Sequence, residues 1–474
     1  MNSRPRVSWQ LGTAVASGMP ILILLSLGPV AALAGPPSVV VWAVSALIGL
    51  AIALPFAELV GLFPGQAGGV AVVTAQAFRP YSRLLGVIVQ WSYWLGWTLG
   101  LAINGVLIAD YLRQRLLPGS SSWAAWFLAV GVLGLSVVVN HRGIRPGAWL
   151  QAGLLACTAV VLLFLLVVPL LRGDMDLARL VPFGPPGGWV WPDALVPLAG
   201  AFFIAGWSAY GAEIALTYSS EYRRGPRDAV RAVLVVAAVM VAMYSVVPAL
   251  TLAAVEPRAV AGGPVPLFES LAGAGSGVGS VLVPMALVGT FFLILNTIAI
   301  GSSRTLCQMA NNGEAWPVLG RLNRHGAPGN ALLFDLVFNA SVLAVSFLLN
   351  VNRAEVPVAL LASANVGYFT CLILALVAAW MMRRTAPGLA RPFRAPRGAV
   401  GLGLLLAVFN TVLLAGAGAA WGWRNIALGV TILLANVVLL TPRCDDAGRQ
   451  VEIDVRSADA TRSDSELDRS GVPA

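Results

Sequence analysis

Apolar residues run along this chain in long blocks separated by short polar stretches. Twelve blocks stand out, at about 11–33, 38–62, 84–112, 123–140, 148–171, 194–219, 230–254, 277–308, 330–350, 357–382, 400–420 and 425–441. Most reach the ~20 residues needed to cross a hydrocarbon core of about 30 Å. Lipid offers no hydrogen-bond partner to a backbone, so such blocks must be helices. The pattern predicts an all-α integral membrane protein, a twelve-span bundle. Spans 11 and 12 are divided only by the short turn Trp421-Gly422-Trp423-Arg424-Asn425. Ten residues precede the first block, Arg4 and Arg6 among them, which predicts an uncleaved first span and not a cleaved signal peptide.

Arginine placement orients the bundle. With residues 1–10 cytoplasmic, the inner segments through span 12 hold 19 Arg and the outer segments 7. That asymmetry predicts both termini inside the cell, in the plasma (inner) membrane, and an even number of spans. The polar segment 442–474 has too few apolar residues to build a core and reads as a disordered cytoplasmic tail. The transmembrane part is therefore about 11–441, with no second soluble domain.

Composition narrows the chemistry. Hydrophobic residues make up 58% of the 474 and charged residues 11%, too few to cover a soluble domain of this size. The net charge of +9 comes from arginines dispersed among membrane loops, so no nucleic-acid partner is expected. There is no lysine, which excludes a lysine amine as a titrating group or Schiff base. Cys157, Cys307, Cys371 and Cys444 lack metal-ligand spacing, and no cofactor or metal is expected. No Walker A loop supports an ATP-driven pump, and no catalytic dyad at helix depth supports an enzyme.

Two spans contain irregular polar stretches. Span 1 has Ala16-Ser17-Gly18-Met19-Pro20. From composition this is either a kink with close helix packing or an unwound segment whose N–H groups meet an anion such as a carboxylate. Span 6 has Gly206-Trp207-Ser208-Ala209-Tyr210-Gly211-Ala212-Glu213. A carboxylate in an apolar run is costly and faces a cavity or partner. Near the start of a second half-helix, Glu213 either caps it or serves a gating or proton-linked role; desolvation opposes its charge while the helix dipole favours it. It reads as the one carboxylate near the middle of the bundle. Broken spans 1 and 6 are the spacing of a five-plus-five inverted repeat, over about 11–171 and 194–382, with extra spans at about 400–441.

Other polar residues have plainer readings. Glu58, near the inner end of span 2, is expected to pair with an arginine. Arg304 at the inner end of span 8 is either an inner-gate partner or snorkels to headgroups. Asp110 and Arg113 read as a surface pair. His141 and His325 fall in predicted loops, away from any proton relay.

Ordered stretches then carry a resemblance. Val15-Ala16-Ser17-Gly18-Met19 is similar to I-G-S-G-I. Ala57-Glu58-Leu59, Phe63-Pro64 and Gly68-Gly69 resemble A-E-L…F-P-x-x-G-G. Gly211-Ala212-Glu213, Ser220-Glu221, Gly225-Pro226-Arg227 and Arg231-Ala232 resemble G-F-E…E-E-x-K-N-P-x-R…P-R-A. Ser303-Arg304, Met309-Ala310-Asn311-Asn312-Gly313, Gly320-Arg321-Leu322-Asn323 and Pro328-Gly329-Asn330-Ala331 resemble S-R…M-A-R-D-G…G-R-V-N…P-x-N-A. Arg391-Pro392-Phe393-Arg394-Ala395-Pro396 is similar to R-P-F-R-V-P. Together they resemble the amino acid–polyamine–organocation transporter superfamily, in its amino acid permease branch, from residue 10 to about 400. Departures are Ala16 for the first glycine of G-S-G and Asn311-Asn312 for the charged D-G element. The span 5 lysine that imitates sodium in some members is absent; the position is near Thr158.

The resemblance implies secondary transport of an amino acid or related amine by alternating access, or an amino acid/polyamine exchanger or transporter-like sensor. It places a substrate carboxylate at the amides of Ser17, Gly18 and Met19. The ammonium would meet unwound carbonyls between Ala205 and Ser208, around Gly206 and Gly211, with Trp207 as a covering gate. It also implies that any sodium would be bound by Ser302, Ser303 and carbonyls near Ala14; proton coupling is the alternative. The partners expected are the small-molecule substrate, a coupling ion and membrane lipids.

Overall fold

A computed structural model describes residues 7–63, 66–162, 167–264, 266–267, 270, 279–349 and 355–442. The predicted tail beyond residue 442, the first six residues and Pro64 lie outside the described residues. Among those described there are twelve helices long and apolar enough to cross a membrane. They are Trp9–Ala34, Ser38–Gly61, Arg83–Leu116, Trp123–His141, Ile144–Leu162, Leu195–Glu221, Pro226–Ala254, Pro284–Asn311, Gly329–Leu348, Val356–Thr385, Arg397–Trp421 and Trp423–Leu440, here spans 1 to 12.

The spans sort into two layers. The most apolar windows of spans 1, 3 and 8 are each 83% buried, against 28% for span 4 and 22% for span 12, so the former are central and the latter face lipid. Span 3 packs along spans 8 and 10, span 7 along span 2, and span 5 along span 8. In span 5 the described residues are helical through Leu162 and again over Val168–Arg172, and the part of the expected span at 163–166 lies outside the described residues. His141 closes the helix of span 4 and is not in a loop.

Span 1 is not one continuous α-helix. Helices cover Trp9–Val15, Gly18–Ile21 and Ile23–Ala34, with turns at Ala16–Ser17 and Leu22. Pro20 supplies a cause: it has no N–H, so the Ala16 carbonyl loses its normal donor. That carbonyl takes the Met19 N–H instead, at 3.0 Å, and Ser17 N–H reaches Ala14 O at 3.2 Å. These three-residue bonds tighten the chain locally. Span 6 is α-helical from Leu195 to Ala209, then 3-10 over Gly211–Leu216 and Ser219–Glu221. Residues 205–208 are thus α-helical, and the change of winding comes later than expected, at Tyr210. A glycine at 206 is compatible with a helix; it does not by itself end one.

A ten-residue helix, Gly69–Phe78, lies between spans 2 and 3 and is too short to cross. Gly68 and Gly69 both have positive φ, 84° and 68°, which a side chain would oppose. Gly68 N–H donates to Thr217 O at 2.7 Å, and Gly68 O accepts from Thr305 Oγ1 at 3.2 Å. The paired glycines therefore tie this turn to spans 6 and 8. On the same arginine-rich face, Val7 N–H donates to Glu221 O at 2.8 Å and Arg223 N–H to Val7 O at 2.9 Å. The Arg304 guanidinium pairs with Glu221. Glu58 pairs with Arg391 at 3.1 Å and with Arg383, and accepts from Ala395 N–H at 2.8 Å. At the opposite face a cavity of about 640 Å³ is lined by the end of span 1 (Ala31, Gly35), Trp189 and Leu252, among others.

Candidate functional site

The irregular part of span 1 meets the end of the span 6 α-helix at the centre of the bundle. The space for a Cβ on Gly211 is occupied by Met19 Sδ and by the Trp97 ring, each 3.0 Å away. Tyr244 of span 7 donates to both Met19 O (2.9 Å) and Ser208 O (3.3 Å), so one hydroxyl bridges the two segments. Ser208 and Ser26 hydroxyls are 2.7 Å apart. The last carbonyls of a helix have no partner within it and carry its negative end. Ser208 O is one of these, and its partner here is a side chain.

The expected anion-binding amides have protein partners in this conformation. Ser17 and Met19 donate to Ala14 O and Ala16 O, and Gly18 N–H donates to Thr297 Oγ1 at 3.3 Å. Thr297 in turn donates to Val15 O at 2.8 Å, and Gln151 Nε2 reaches the same carbonyl at 3.1 Å. The Ser17 hydroxyl is buried with no hydrogen-bond partner among the described residues. Gly18, Met19, Ala205, Gly206, Trp207, Ser208 and Gly211 are all buried. Trp207 is fully enclosed: its ring lies 5.6 Å from Trp97 and its indole N–H donates to Gly96 O at 2.8 Å.

Glu213 sits in the 3-10 segment and is 1% exposed. Tyr93 donates to it at 2.6 Å, Trp97 and Tyr368 each at 3.2 Å. All three donors are neutral. Sequence reasoning missed this cage, whose members lie more than a hundred residues from Glu213 along the chain. It also missed Asp335 of span 9, which accepts from Trp94 (2.9 Å), Thr98 (3.0 Å) and Ser302 (2.7 Å). Glu213 is therefore not the one carboxylate at depth. A lone Asp in the apolar run Phe334-Asp335-Leu336-Val337-Phe338 was the available signal.

The oxygens expected to bind sodium point to different partners. Ser302 donates to Asp335, Ser303 donates back to Ala299 O at 2.6 Å, and Ala14 O accepts from Ser17 N–H. Back-bonding to its own helix is the ordinary use of a serine in a span. Thr158 is buried and its hydroxyl has no partner among the described residues.

Known proteins supply the next step. Residues 8–435 match the family described as Amino acid permease. The chain belongs to the amino acid permease family. It is a multi-pass membrane protein of a family of transporters, not enzymes. An uncharacterized transporter of Mycobacterium tuberculosis is 30% identical over 308 residues, 64% of this chain and 63% of that protein. The matched stretch thus spans under two thirds of that relative's length. The lysine-specific permease LysP of Escherichia coli is 25% identical over 52% of each chain. The crystal structure of a manganese transporter mutant from Eremococcus coleocola shares the fold, with TM-score 0.57, 16% identity, and coverage of 95% of this chain and 94% of that one.

Proposed function

We propose that this permease is a secondary transporter that moves an amino acid or related amine across the plasma membrane by alternating access, with both termini cytoplasmic. The carrying observation is the meeting of the span 1 turn with the end of the span 6 helix, bridged by Tyr244. A zwitterion fits such a pair. Its carboxylate is suited to the amides of Ser17, Gly18 and Met19, whose present bonds of 3.0–3.3 Å a charged acceptor can replace. Its ammonium is suited to the carbonyl end of span 6, around Trp207 and Ser208. The burial of these residues and the ties at the arginine-rich face fit a closed, occluded conformation. A five-plus-five repeat of this kind would account for spans 1 and 6 supplying the site together.

Glu213 is read as the proton-linked group of this site. Its cage of neutral donors can hold either protonation state, whereas the sodium reading at Ser302, Ser303 and Ala14 has its oxygens committed elsewhere. The test is uptake of a panel of labelled amino acids and polyamines into proteoliposomes, with and without sodium and with and without a pH gradient. Uptake driven by an inward proton gradient supports the reading. Uptake only against a preloaded amine indicates an exchanger. Ligand-dependent stabilisation with neither uptake nor exchange indicates a sensor and overturns the transport reading.

A further inference from the structure

Asp335 lies six residues into span 9, about 9 Å along the helix from its arginine-rich end. It is 1% exposed. Its two oxygens have different surroundings. Oδ1 accepts from Trp94 Nε1 at 2.9 Å and from Thr98 Oγ1 at 3.0 Å. An indole N–H can only donate. The Thr98 oxygen itself accepts from Asn339 Nδ2 at 2.9 Å, which aims the Thr98 proton at the carboxylate. Oδ1 is therefore fixed as an acceptor. Among the described residues Oδ2 has one partner, the Ser302 hydroxyl at 2.7 Å, and a hydroxyl can donate or accept. Beside them the Asn339 side-chain oxygen is buried with no partner among the described residues.

The other ionisable groups on the elements packed against span 9 have partners elsewhere. Those elements are spans 3, 4 and 8 and the turn Pro317–Gly320. On span 3, Tyr93 bonds Glu213, Arg83 bonds Gly313 O, Asp110 faces Arg113, and Arg115 lies over Tyr111. On span 8, Arg304 pairs with Glu221 and Cys307 faces Gly320 O. His141 of span 4 is exposed at the helix end, and Glu314, before the turn, accepts from Gln90. No arginine or histidine among the described residues forms an ion pair with Asp335.

We propose that the Asp335 carboxyl is a second proton-binding site, reversibly loaded and unloaded, with Ser302 as the hydroxyl that adapts to both forms. In the ionised form Ser302 O–H donates to Oδ2. When a proton adds to Oδ2, the new O–H donates to Ser302 Oγ. The Ser302 proton then turns to the carbonyl of Ile298, one turn back on span 8, a bond serines in helices commonly make. No other group must move, and no buried cation loses its partner, as happens when an arginine-bound carboxylate is neutralised. A sodium ion fits less well, because N–H groups already point at Oδ1 and at the Thr98 oxygen. The proposal goes beyond the transport reading and its test needs no substrate.

The experiment is infrared pH-difference spectroscopy on the solubilised full chain between pH 4 and 9, with the wild type, Asp335→Asn, Ser302→Ala and Glu213→Gln. The wild type is expected to show carboxyl C=O absorption that fades as pH rises. Asp335→Asn is expected to lose one component of it, and Glu213→Gln to retain that component. Ser302→Ala keeps the carboxyl but removes both the donor to its ionised form and the acceptor for its protonated form. The bond to the charged carboxylate is the stronger of the two, so the component should persist about one pH unit further, a tenfold change in proton affinity. Should Asp335→Asn fail to fold, Ser302→Ala decides alone. Identical difference spectra for Asp335→Asn and wild type, or an unmoved component in Ser302→Ala, overturn the proposal. So does a component displaced in the wild type by sodium but not by choline, which marks a cation site. Failure of the transport reading instead leaves these spectra intact and abolishes only uptake.

Discussion

Gly18→Ala is expected to loosen the whole of span 1 against span 8. A Cβ at position 18 would lie 2.6 Å from Thr297 Oγ1, 2.9 Å from Ile294 Cα and 3.1 Å from Leu293 O. The second contact is backbone, so span 8 must retreat by roughly half an ångström to restore a carbon–carbon separation of about 3.5 Å. Overpacking of this kind costs about 1–3 kcal/mol. Thr297 can relieve the first contact only by leaving Val15 O and Gly18 N–H, and a net hydrogen bond is worth about 0.5–1.5 kcal/mol. Together the loss is about 2–4 kcal/mol, and Gly18→Val should cost more. This differs from a pure substrate-site glycine, whose replacement would spare the fold and lose only binding. The assay is thermal unfolding of detergent-solubilised protein in a cycle of Gly18→Ala, Thr297→Ala and the double variant. The double variant removes the closest contact, so it should be more stable than the two single losses added together. Gly18→Ala melting as the wild type does, or strictly additive losses, would refute the packing argument.

Other changes separate roles in the same structure. Trp207→Ala is expected to weaken substrate affinity and transport together, by about 0.5–2 kcal/mol if the ring covers the substrate; unchanged uptake kinetics would make it a packing residue on Trp97. Glu213→Gln is expected to flatten the pH profile of uptake between pH 5 and 8 while binding partly survives, and a profile parallel to wild type would remove Glu213 as the titrating group. Glu58→Gln leaves Arg383 and Arg391 facing one neutral oxygen and should destabilise the protein by about 3–5 kcal/mol, read as a lowered melting temperature with no new pH dependence. Burial raises the Glu314 carboxyl above its ordinary value, outweighing the Gln90 donor and the nearby Arg79 and Arg83. The folded protein then binds a proton the unfolded chain has released, so stability falls as pH rises from about 4.5 through the raised value. Glu314→Gln should therefore gain stability over wild type at pH 7 and lose that advantage below pH 4.5; a variant less stable at pH 7 would refute this.

The spans were legible because each is a continuous apolar run with its own physical requirement for a helix. Their ends agree with the structure to within a few residues except at spans 5 and 8, where residues 163–166 and 271–278 lie outside the described set. Glu58 and its arginine were legible too, since a carboxylate near a helix end beside a basic segment has an obvious partner. The winding of span 6 was read too early: the glycines at 206 and 211 mark permissive positions, but which one ends the helix depends on packing. Gly206 faces the rings of Phe369 and Tyr210, and Gly211 faces Met19 and Trp97. The cages around Glu213 and Asp335 were invisible for the same reason. They join residues that only the packing of spans 3, 6, 8, 9 and 10 brings together.

Span 3 explains how a chain without lysine keeps carboxylates buried in the bundle. Within Gln90–Thr98, Gln90 donates to Glu314, Tyr93 and Trp97 to Glu213, and Trp94 and Thr98 to Asp335. Tyr93 and Trp97 are four residues apart, as are Trp94 and Thr98, so each pair forms its own stripe along the helix. The stripes are offset by one residue, about 100° of rotation, and so address carboxylates on different neighbours. One rigid helix therefore presents five neutral donors to three acids from spans 6 and 9 and from the segment after span 8. Neutral donors differ from a lysine or arginine in one respect that matters for transport. They stabilise the ionised acid without becoming unpaired charges when the acid takes a proton, so both states remain affordable inside the bundle. The aromatic content of this segment (Trp91, Tyr93, Trp94, Trp97) follows from the same need, because indole and phenol carry a donor on an otherwise apolar body that can be buried. Replacing Trp94 by Phe would keep most of that body and delete only the donor, which makes span 3 the place where packing and proton chemistry can be separated.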